Sequence, residues 1–353
     1  MKFLIIGNYA ADSFGKHIGD TLTLMNHEVS HFSYEPNTYE ARNIISKSLN
    51  IVIRFLFLFC VRFEKFRYFH LRGVKQDISR NKYDVIISTH DYLYPSDVET
   101  IKSLSEAKVC LWYPDPLCTM NRALFIGCDY DYIFLKEPFL VDKFQRLTNL
   151  NIHYLPECFN PNSYGTVENH PIDNNLDLVA FGNFHPWRSL LLNPLLKFRL
   201  KFYGVTPPKW LMATELHDHF SGYPIFNEEK KRCLLAAPIV VNNMHFGEVW
   251  GASARIFEVA GIGAFQITEA NLGLGELYAI GEELIVYENK DELPALIEHY
   301  LLDDEGRQKI ADAAKKRTLS EHTYEKRLDL LINVIFNDGS GYPSKLISSL
   351  QIN

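Results

Sequence analysis

Arg255-Ile-Phe-Glu-Val-Ala-Gly-Ile-Gly-Ala-Phe-Gln-Ile-Thr-Glu269 changes character halfway along. Its first half spaces apolar residues as a helix does, from about Ala254 to Ala260. Gly261 or Gly263 ends that helix, since glycine enters the left-handed region at little cost. The second half, Ala264-Phe-Gln-Ile267, reads as a short buried strand. Arg255 and Glu258 stand three apart, so both side chains can project from one helical face. The plainest reading of such a pair is a surface ion pair worth ~0.2–0.5 kcal/mol. The chemical reading is sharper. A guanidinium grips phosphate oxygens in a bidentate way, and a carboxylate accepts from two ribose hydroxyls. Such a pair suits a nucleotide diphosphate.

The alternation of strand and helix continues outward from this stretch. Upstream lie Leu176 to Phe181, running into Gly182-Asn183, then Leu200 to Tyr203, then Pro238-Ile-Val-Val-Asn242. Downstream lies Leu284-Ile-Val-Tyr287, followed by helices rich in Lys, Asp and Glu. An Asn-, Pro- and Gly-rich linker at 160–175 precedes the series. Before it the same rhythm runs through Phe3 to Ile6, a helix from Gly15 to Met25, and Val29 to Phe32. It continues through Asp84 to Ser88, Lys108 to Trp112, Tyr132 to Leu135 and His153 to Leu155. Repeated βαβ units imply parallel sheets covered by helices. At ~150 residues per domain, 353 residues make about two domains. The expected boundaries are 1–160 and 161–330, with 331–353 crossing back onto the first domain.

Composition narrows the class. Apolar residues are 47% and charged residues 22%, which excludes a disordered or low-complexity chain. The net charge of −7 excludes a molecule that is basic throughout and binds nucleic acid by bulk charge. The six cysteines show no C-x-x-C pair and read as reduced thiols of a cytoplasmic protein. The apolar run after Lys2 is too short for a signal peptide. The most apolar window, Ile51 to Val61, carries Arg54 and falls short of the ~20 residues that span a bilayer.

One segment departs from the acidic average. Arg42 to Lys82 holds ten Lys or Arg and two acids, a net +8 that leaves −15 for the rest. On one continuous helix Lys47, Arg54, Lys65 and Arg72 fall within roughly 20° of one another. Phe55, Phe57, Phe59, Phe63, Phe66, Tyr68 and Phe69 lie between the cations. Three readings stand: a basic amphipathic helix that docks on anionic lipid, a grip on an anionic acceptor, or a helical layer with solvated charges. A charged glycan or a nucleic acid would be such an acceptor. The acidity of the remainder favours membrane over nucleic acid.

The Arg255–Glu269 stretch resembles the signature of the spore-maturation (CgeB-like) glycosyltransferases, which are GT-B-type enzymes. Leu277-Tyr278, Gly281-Glu282-Glu283, Val286-Tyr287 and Glu321-His322-Thr323-Tyr324-Glu325-x-Arg327 are similar to that family's tail. Upstream, Leu111-Trp-Tyr-Pro-Asp115, Asp131 to Phe134, Tyr154-Leu-Pro156, and Phe181-Gly-Asn183 with Arg188 also look similar, in order. The resemblance spans roughly residues 84–330. It implies a GT-B-like fold, two Rossmann-like domains facing each other across a cleft. The N-terminal domain would take the acceptor and the C-terminal domain a nucleotide-sugar donor. Arg255 would bind the donor phosphates and Glu258 the ribose. Gly182, Asn183 and Arg188 would lie near the diphosphate. The nucleotide sugar is a substrate, and neither a cofactor nor a metal is implied. Related retaining enzymes carry a second Glu eight residues before the position of Glu258. Trp250 stands there, with Glu248 two residues earlier, so the stereochemical course stays open.

Four further places bear chemistry. Gly7-Asn8-Tyr9 follows the first strand, as a phosphate loop would, without the G-x-G-x-x-G pattern. Its absence argues against an epimerase or dehydrogenase. Thr89-His90-Asp91 follows a strand, where open parallel sheets bind ligands. His90 can take a proton from an acceptor hydroxyl, with Asp91 orienting it or acting instead. Asp115 is the rival base, and Glu137, after the next strand, a weaker one. Asp129-Tyr-Asp131 has the D-x-D metal spacing, but it precedes its strand and so points to the wrong end of the sheet. His217-Asp-His219 has no third ligand to nominate. Two other classes remain beside the transferase: a silent nucleotide- or sugar-binding protein, and a membrane-docked interaction protein.

Overall fold

Short runs such as Phe3-Leu-Ile-Ile6, Val85-Ile-Ile87 and Ile239-Val-Val241 are apolar on both pleat faces. Only a sheet covered on both sides can bury them. In the computed structural model they do form such sheets. The structure describes residues 1–10, 12–35, 44–116, 118, 123–165, 175–184, 186–208, 210 and 215–350. The chain divides into two units. The first comprises Met1–Lys136, Leu140–Leu155 and Leu328–Pro343. The second comprises Glu137–Phe139, Pro156–Arg327 and Ser344–Asn353.

In the first unit the order is β1 (Lys2–Gly7), α1 (Phe14–Leu24), β2 (Glu28–Ser33), α2 (Ile44–Cys60), α3 (Glu64–His70) and α4 (Arg72–Arg80). There follow β3 (Val85–Ser88), α5 (Pro95–Leu104), β4 (Lys108–Tyr113), β5 (Tyr132–Leu135), α6 (Pro138–Leu147) and β6 (Ile152–Tyr154). The strands form a six-stranded parallel sheet ordered β2-β1-β3-β4-β5-β6. Phe3 pairs with Val85 and Ile133 with Ile152. The edge strand β2 is the least buried of the six, with Glu28 and His31 exposed. Trp112 is the largest side chain of the core.

The second unit runs β7 (Leu178–Phe181), α7 (Pro186–Leu192), β8 (Leu200–Tyr203), α8 (Asn227–Leu235), β9 (Ile239–Asn242), α9 (Ala254–Ile262) and β10 (Gln266–Glu269). It continues with α10 (Leu274–Leu277), β11 (Ile285–Tyr287), α11 (Leu293–Leu302) and α12 (Asp304–Glu321). The chain then passes through α13 (Tyr324–Phe336) to α14 (Lys345–Leu350). Its five-stranded parallel sheet is ordered β11-β10-β9-β7-β8. Leu178, Phe202, Val241, Ile267 and Ile297 belong to one buried cluster beneath it. Both sheets are doubly wound, Rossmann-like and open.

Gly263 ends α9, at φ +90°, where its amide donates to Val259 O at 3.2 Å and to Ala260 O at 3.0 Å. Gly261 is needed for a different reason, because a Cβ there would overlap the Phe159 ring. The motif Glu321 to Arg327 is architectural. Phe159 N donates to His322 O, and Tyr324 N donates to Phe159 O. Arg327 Nε donates to Pro156 O at 2.9 Å, and Nη1 to Glu321 O at 3.0 Å. His322 is fully buried and its pKa falls to about 3, through burial and then the adjacent Arg327.

The one continuous helix on which that basic stripe would lie does not form over the described residues 44–82. Its chain turns at Val61-Arg62-Phe63 and again at Leu71, giving α2, α3 and α4. The common stripe through Lys47, Arg54, Lys65 and Arg72 therefore has no continuous helix to lie on. Arg42 and the Lys47 side chain lie outside what is described. The cause of the break is long-range. Arg67 is buried, with Nε donating to Asp97 Oδ2 at 2.9 Å and its guanidinium stacked 3.7 Å from the Tyr94 ring centroid.

Candidate functional site

In each open sheet the strand order reverses at one place, and there the carboxyl ends of two neighbouring strands diverge. In the second unit that place lies between β7 and β9. Phe181-Gly182-Asn183 leaves one strand end and Asn243-Met244 the other. Arg188, in α7, is buried against both. Its Nε donates to Asn243 Oδ1 at 2.7 Å, Nη1 to Asn183 O and Nη2 to Phe181 O, both at 3.0 Å. Arg255, in the first turn of α9, donates from Nη2 to Asn243 O at 2.8 Å. Its Nε is buried with no partner.

Electrostatically this is an unsettled place. Burial and then the charge of Arg255 push the pKa of Arg188 well down. Burial also lowers that of Arg255, against the opposing pull of Glu248 and Glu258. Among the described residues, neither guanidinium has an ion-pair partner. Gly182 stands beside both, at φ +109°, and a Cβ there would lie 3.0 Å from Arg255 Nη1 and 3.4 Å from Arg188 Nη1. Ser253, the residue before α9, has a buried Oγ without a partner. The amino end of a helix adds partial positive charge and unused N–H groups. Two cations, a helix terminus and a residue lacking Cβ make a cradle for an anion.

Acids frame it. Glu248 Oε2 accepts from His245 N at 2.8 Å, and Glu269 Oε2 from Met244 N at 3.0 Å. Burial and then Glu248 raise the pKa of Glu269, against the Met244 amide. Glu258 Oε1 accepts from Lys230 Nζ at 2.7 Å and from Tyr164 Oη at 2.9 Å. Sequence reasoning reached Arg188, Arg255, Glu258, Gly182 and Asn183; the fold brings the two arginines, Gly182 and Asn183 O to these strand ends, while Glu258 meets Lys230 and Tyr164 and acts on Arg255 through its charge. It missed Asn243, which holds both arginines, and Lys230 and Tyr164, which hold Glu258. The doubled Asn242-Asn243 after an apolar strand was the available signal.

The first sheet reverses between β1 and β3. Gly7 closes β1, and a Cβ there would overlap the Thr89 hydroxyl, so the glycine permits close strand packing. His90 Nε2 sits 3.6 Å from Asp115 Oδ2, and Nδ1 3.2 Å from Thr89 Oγ1. The two rival bases are thus neighbours. Asp91 is otherwise employed: its oxygens accept from Leu124 N at 2.7 Å and Phe125 N at 2.8 Å, capping a 3₁₀ turn. Glu137, which groups with the second unit, accepts three amides within that unit, Val249 and Gly251 on Oε2 and Trp250 on Oε1, all within 2.9–3.0 Å. A carboxylate so committed anchors a loop and makes a poor base.

The metal-like motifs have other duties. Asp131 Oδ2 accepts from Val109 N, and Lys102 pairs with Asp129 at 2.8 Å and Asp131 at 3.1 Å. His217 and His219 face the carbonyls of Pro207 and Leu200. No group of three metal-ligating side chains occurs among the described residues. No described helix is long and apolar enough to cross a membrane.

With the geometry in hand, comparison defines the class. Residues 188–333 match the family model described as Glycosyl transferase-like. No curated protein matches the chain in sequence. Among solved structures, sucrose-phosphate synthase from Thermosynechococcus elongatus is similar at TM-score 0.61 and 13% identity, covering 96% of this chain and all of that one. Anabaena HepE in complex with UDP-glucose is similar at 0.62 and 14%, with coverage of 96% and 100%. A glycosyltransferase from Rickettsia africae follows at 0.60 and 12%, with coverage of 94% and 97%. The fold is that of the GT-B glycosyltransferases. Together with the domain match over Arg188 to Asn333, it supports a glycosyltransferase.

Proposed function

We propose that this chain moves a sugar from a nucleoside-diphosphate sugar to an acceptor hydroxyl. The observation that carries the reading is the Arg188–Arg255 pair: one cation buried and the other half-buried, side by side, with no ion-pair partner among the described residues. A diphosphate supplies the missing charge. Arg255 Nε and Ser253 Oγ, both buried and unpartnered, are the donors it would satisfy. The Anabaena HepE structure holds UDP-glucose, which is a donor of this chemistry. The ordered motifs between residues 84 and 330 support a place in the spore-maturation, CgeB-like branch.

In this reading Glu258 takes the ribose hydroxyls, its carboxylate oriented by Lys230 and Tyr164. The two arginines and the amino end of α9 stabilise the departing diphosphate, so no metal is required. The first unit serves the acceptor, which its basic segment suits to an anionic or membrane-associated molecule. The His90–Asp115 pair removes the acceptor proton. The acceptor oxygen bonds to the anomeric carbon, whose bond to the β-phosphate oxygen breaks, and the electron pair leaves with the nucleoside diphosphate. That course inverts configuration. A retaining course needs no dedicated base and would leave the pair idle.

A thermal-shift panel of UDP, GDP, ADP, CMP and dTDP tests the reading. A nucleotide at about 100 times its dissociation constant adds ~2.7 kcal/mol of stability. The expected result is a shift with one diphosphate in the wild type and none in Arg255→Ala. Equal shifts in both proteins would remove the assigned site. Turnover then separates transfer from silent binding: a silent protein holds the donor and neither transfers nor hydrolyses it.

A further inference from the structure

Between β2 and β3 the first unit carries α2, α3 and α4, and their exposed surface is apolar. Ile51, Phe55, Phe59, Phe63, Tyr68 and Phe69 are all at least half exposed, Phe69 at 71%. A helical layer with its aromatics in the core accounts for Phe57, which packs on Tyr34 and His70, and for few others. Exposed apolar surface on this scale marks an interaction site.

Charge identifies the occupant. From Ile44 to Gln76 the sole acid is Glu64. Arg54, Arg62, Lys65 and Arg72 are exposed among the aromatics, and Arg54 meets Glu35 only loosely, at 3.7 Å. The rest of the chain carries a net negative charge, so this basic segment is the part best matched to an anionic surface. α2 has 17 residues with Arg54 near its middle, which suits lying on a bilayer and not crossing it.

We propose that the α2–α3 face docks on a bilayer containing anionic lipid, with its aromatic side chains at headgroup depth and its cations on the lipid phosphates. The proposal is independent of the transferase reading, because binding is read without donor or turnover.

The test is co-sedimentation of the full chain with vesicles of phosphatidylcholine alone or mixed with phosphatidylglycerol. Binding is expected to the mixed vesicles, to weaken with salt, and to be slight on the neutral ones. Arg54→Gln/Arg62→Gln/Lys65→Gln should lower it about a hundredfold, at about fivefold per cation. Phe55→Ser/Phe59→Ser/Phe63→Ser should abolish it with the thermal midpoint unchanged. Two results overturn the proposal. One is equal binding to both vesicle types. The other is no vesicle binding by a chain that forms dimers on gel filtration, with the dimers lost in the triple serine variant, which would make a second copy the occupant.

Discussion

At the end of β1 the chain meets Thr89, His90 and Asp115; at the end of β7 it meets Arg188, Arg255 and Asn243. Both are the reversal points of parallel sheets with similar winding. Each also has a glycine where a side chain would intrude, Gly7 in one and Gly182 in the other. The difference is in what is left unsatisfied. In the first unit the ionisable groups are partly exposed and near one another. In the second, two cations are packed together and a guanidinium nitrogen has nothing to donate to. Burying an uncompensated charge costs folding energy, a cost that the proposed anionic ligand would relieve. In the proposed reading one topology serves both proton handling and anion binding, and side chains alone separate the two.

The largest expected effect tests the proton-handling end. Asp115→Asn or His90→Gln should lower kcat ~10²–10⁴-fold, the usual worth of a general base, with nucleotide affinity unchanged. If both variants keep near wild-type turnover, the first reversal point is not catalytic and the course is retaining.

The next sharpens the electrostatic contrast. Arg255→Met should weaken nucleotide-diphosphate binding about 100-fold, the loss of one charged hydrogen-bonding partner. Without nucleotide the same variant should melt no lower than the wild type, because it removes a like charge beside the buried Arg188. Calorimetric titration and a melting curve read the two signs; a lower midpoint would make Arg255 a structural group.

The glycines give a smaller, paired test. Gly7→Ala should cost roughly 1–3 kcal/mol of stability and leave nucleotide affinity alone, and Thr89→Ala beside it should restore most of the loss. Gly182→Ala should cost a similar amount, with a further loss of nucleotide affinity that Gly7→Ala lacks. Identical behaviour of the two would erase the comparison.

The mildest test sets Arg255 against another buried arginine of its unit, Arg327, whose nitrogens are taken up by carbonyls and His322. His322 is held neutral, with its folded pKa near 3 and its unfolded value near 6.5. The unfolded state therefore binds the proton more readily, and stability falls as pH drops below about 6.5. Between about pH 7 and 5.5 the loss should be about 1 kcal/mol, and His322→Gln should flatten that part of the profile. An unchanged slope would mean that His322 is solvated.

Strand order apart, the fold was legible because doubly covered strands leave continuous apolar runs, and β1, β3, β4, β7 and β9 each left one. The helix over Ala254–Ile262 was legible too, although its stop was ambiguous: Gly261 and Gly263 look alike until Phe159 is seen against the first. The common stripe through Lys47, Arg54, Lys65 and Arg72 failed because no glycine or proline marks the break after Cys60; the Arg67–Asp97 pair beside that break joins residues thirty apart. Arg255 could be nominated by its spacing from Glu258, and Arg188 through the family resemblance. Asn243 was signalled only by its place after an apolar strand, and Lys230 and Tyr164 not at all, since all three act through carbonyls, amides and contacts that only the assembled sheet defines. Asp91 and Glu137 looked like bases because a carboxylate's backbone partners are invisible in a sequence.

The long crossover between β2 and β3 has a further consequence, for how such a chain acquires new surface. Phe3 pairs with Val85, while the corresponding pair in the second sheet joins Leu178 to Ile239. The first closure spans about a third more chain, and because closure entropy grows only with the logarithm of length, the penalty is roughly 0.3 kcal/mol. Three helices can therefore be carried in that crossover almost without disturbing the sheet they interrupt. They can also change in sequence, or be traded for others, while the strand pairings on either side stay as they are.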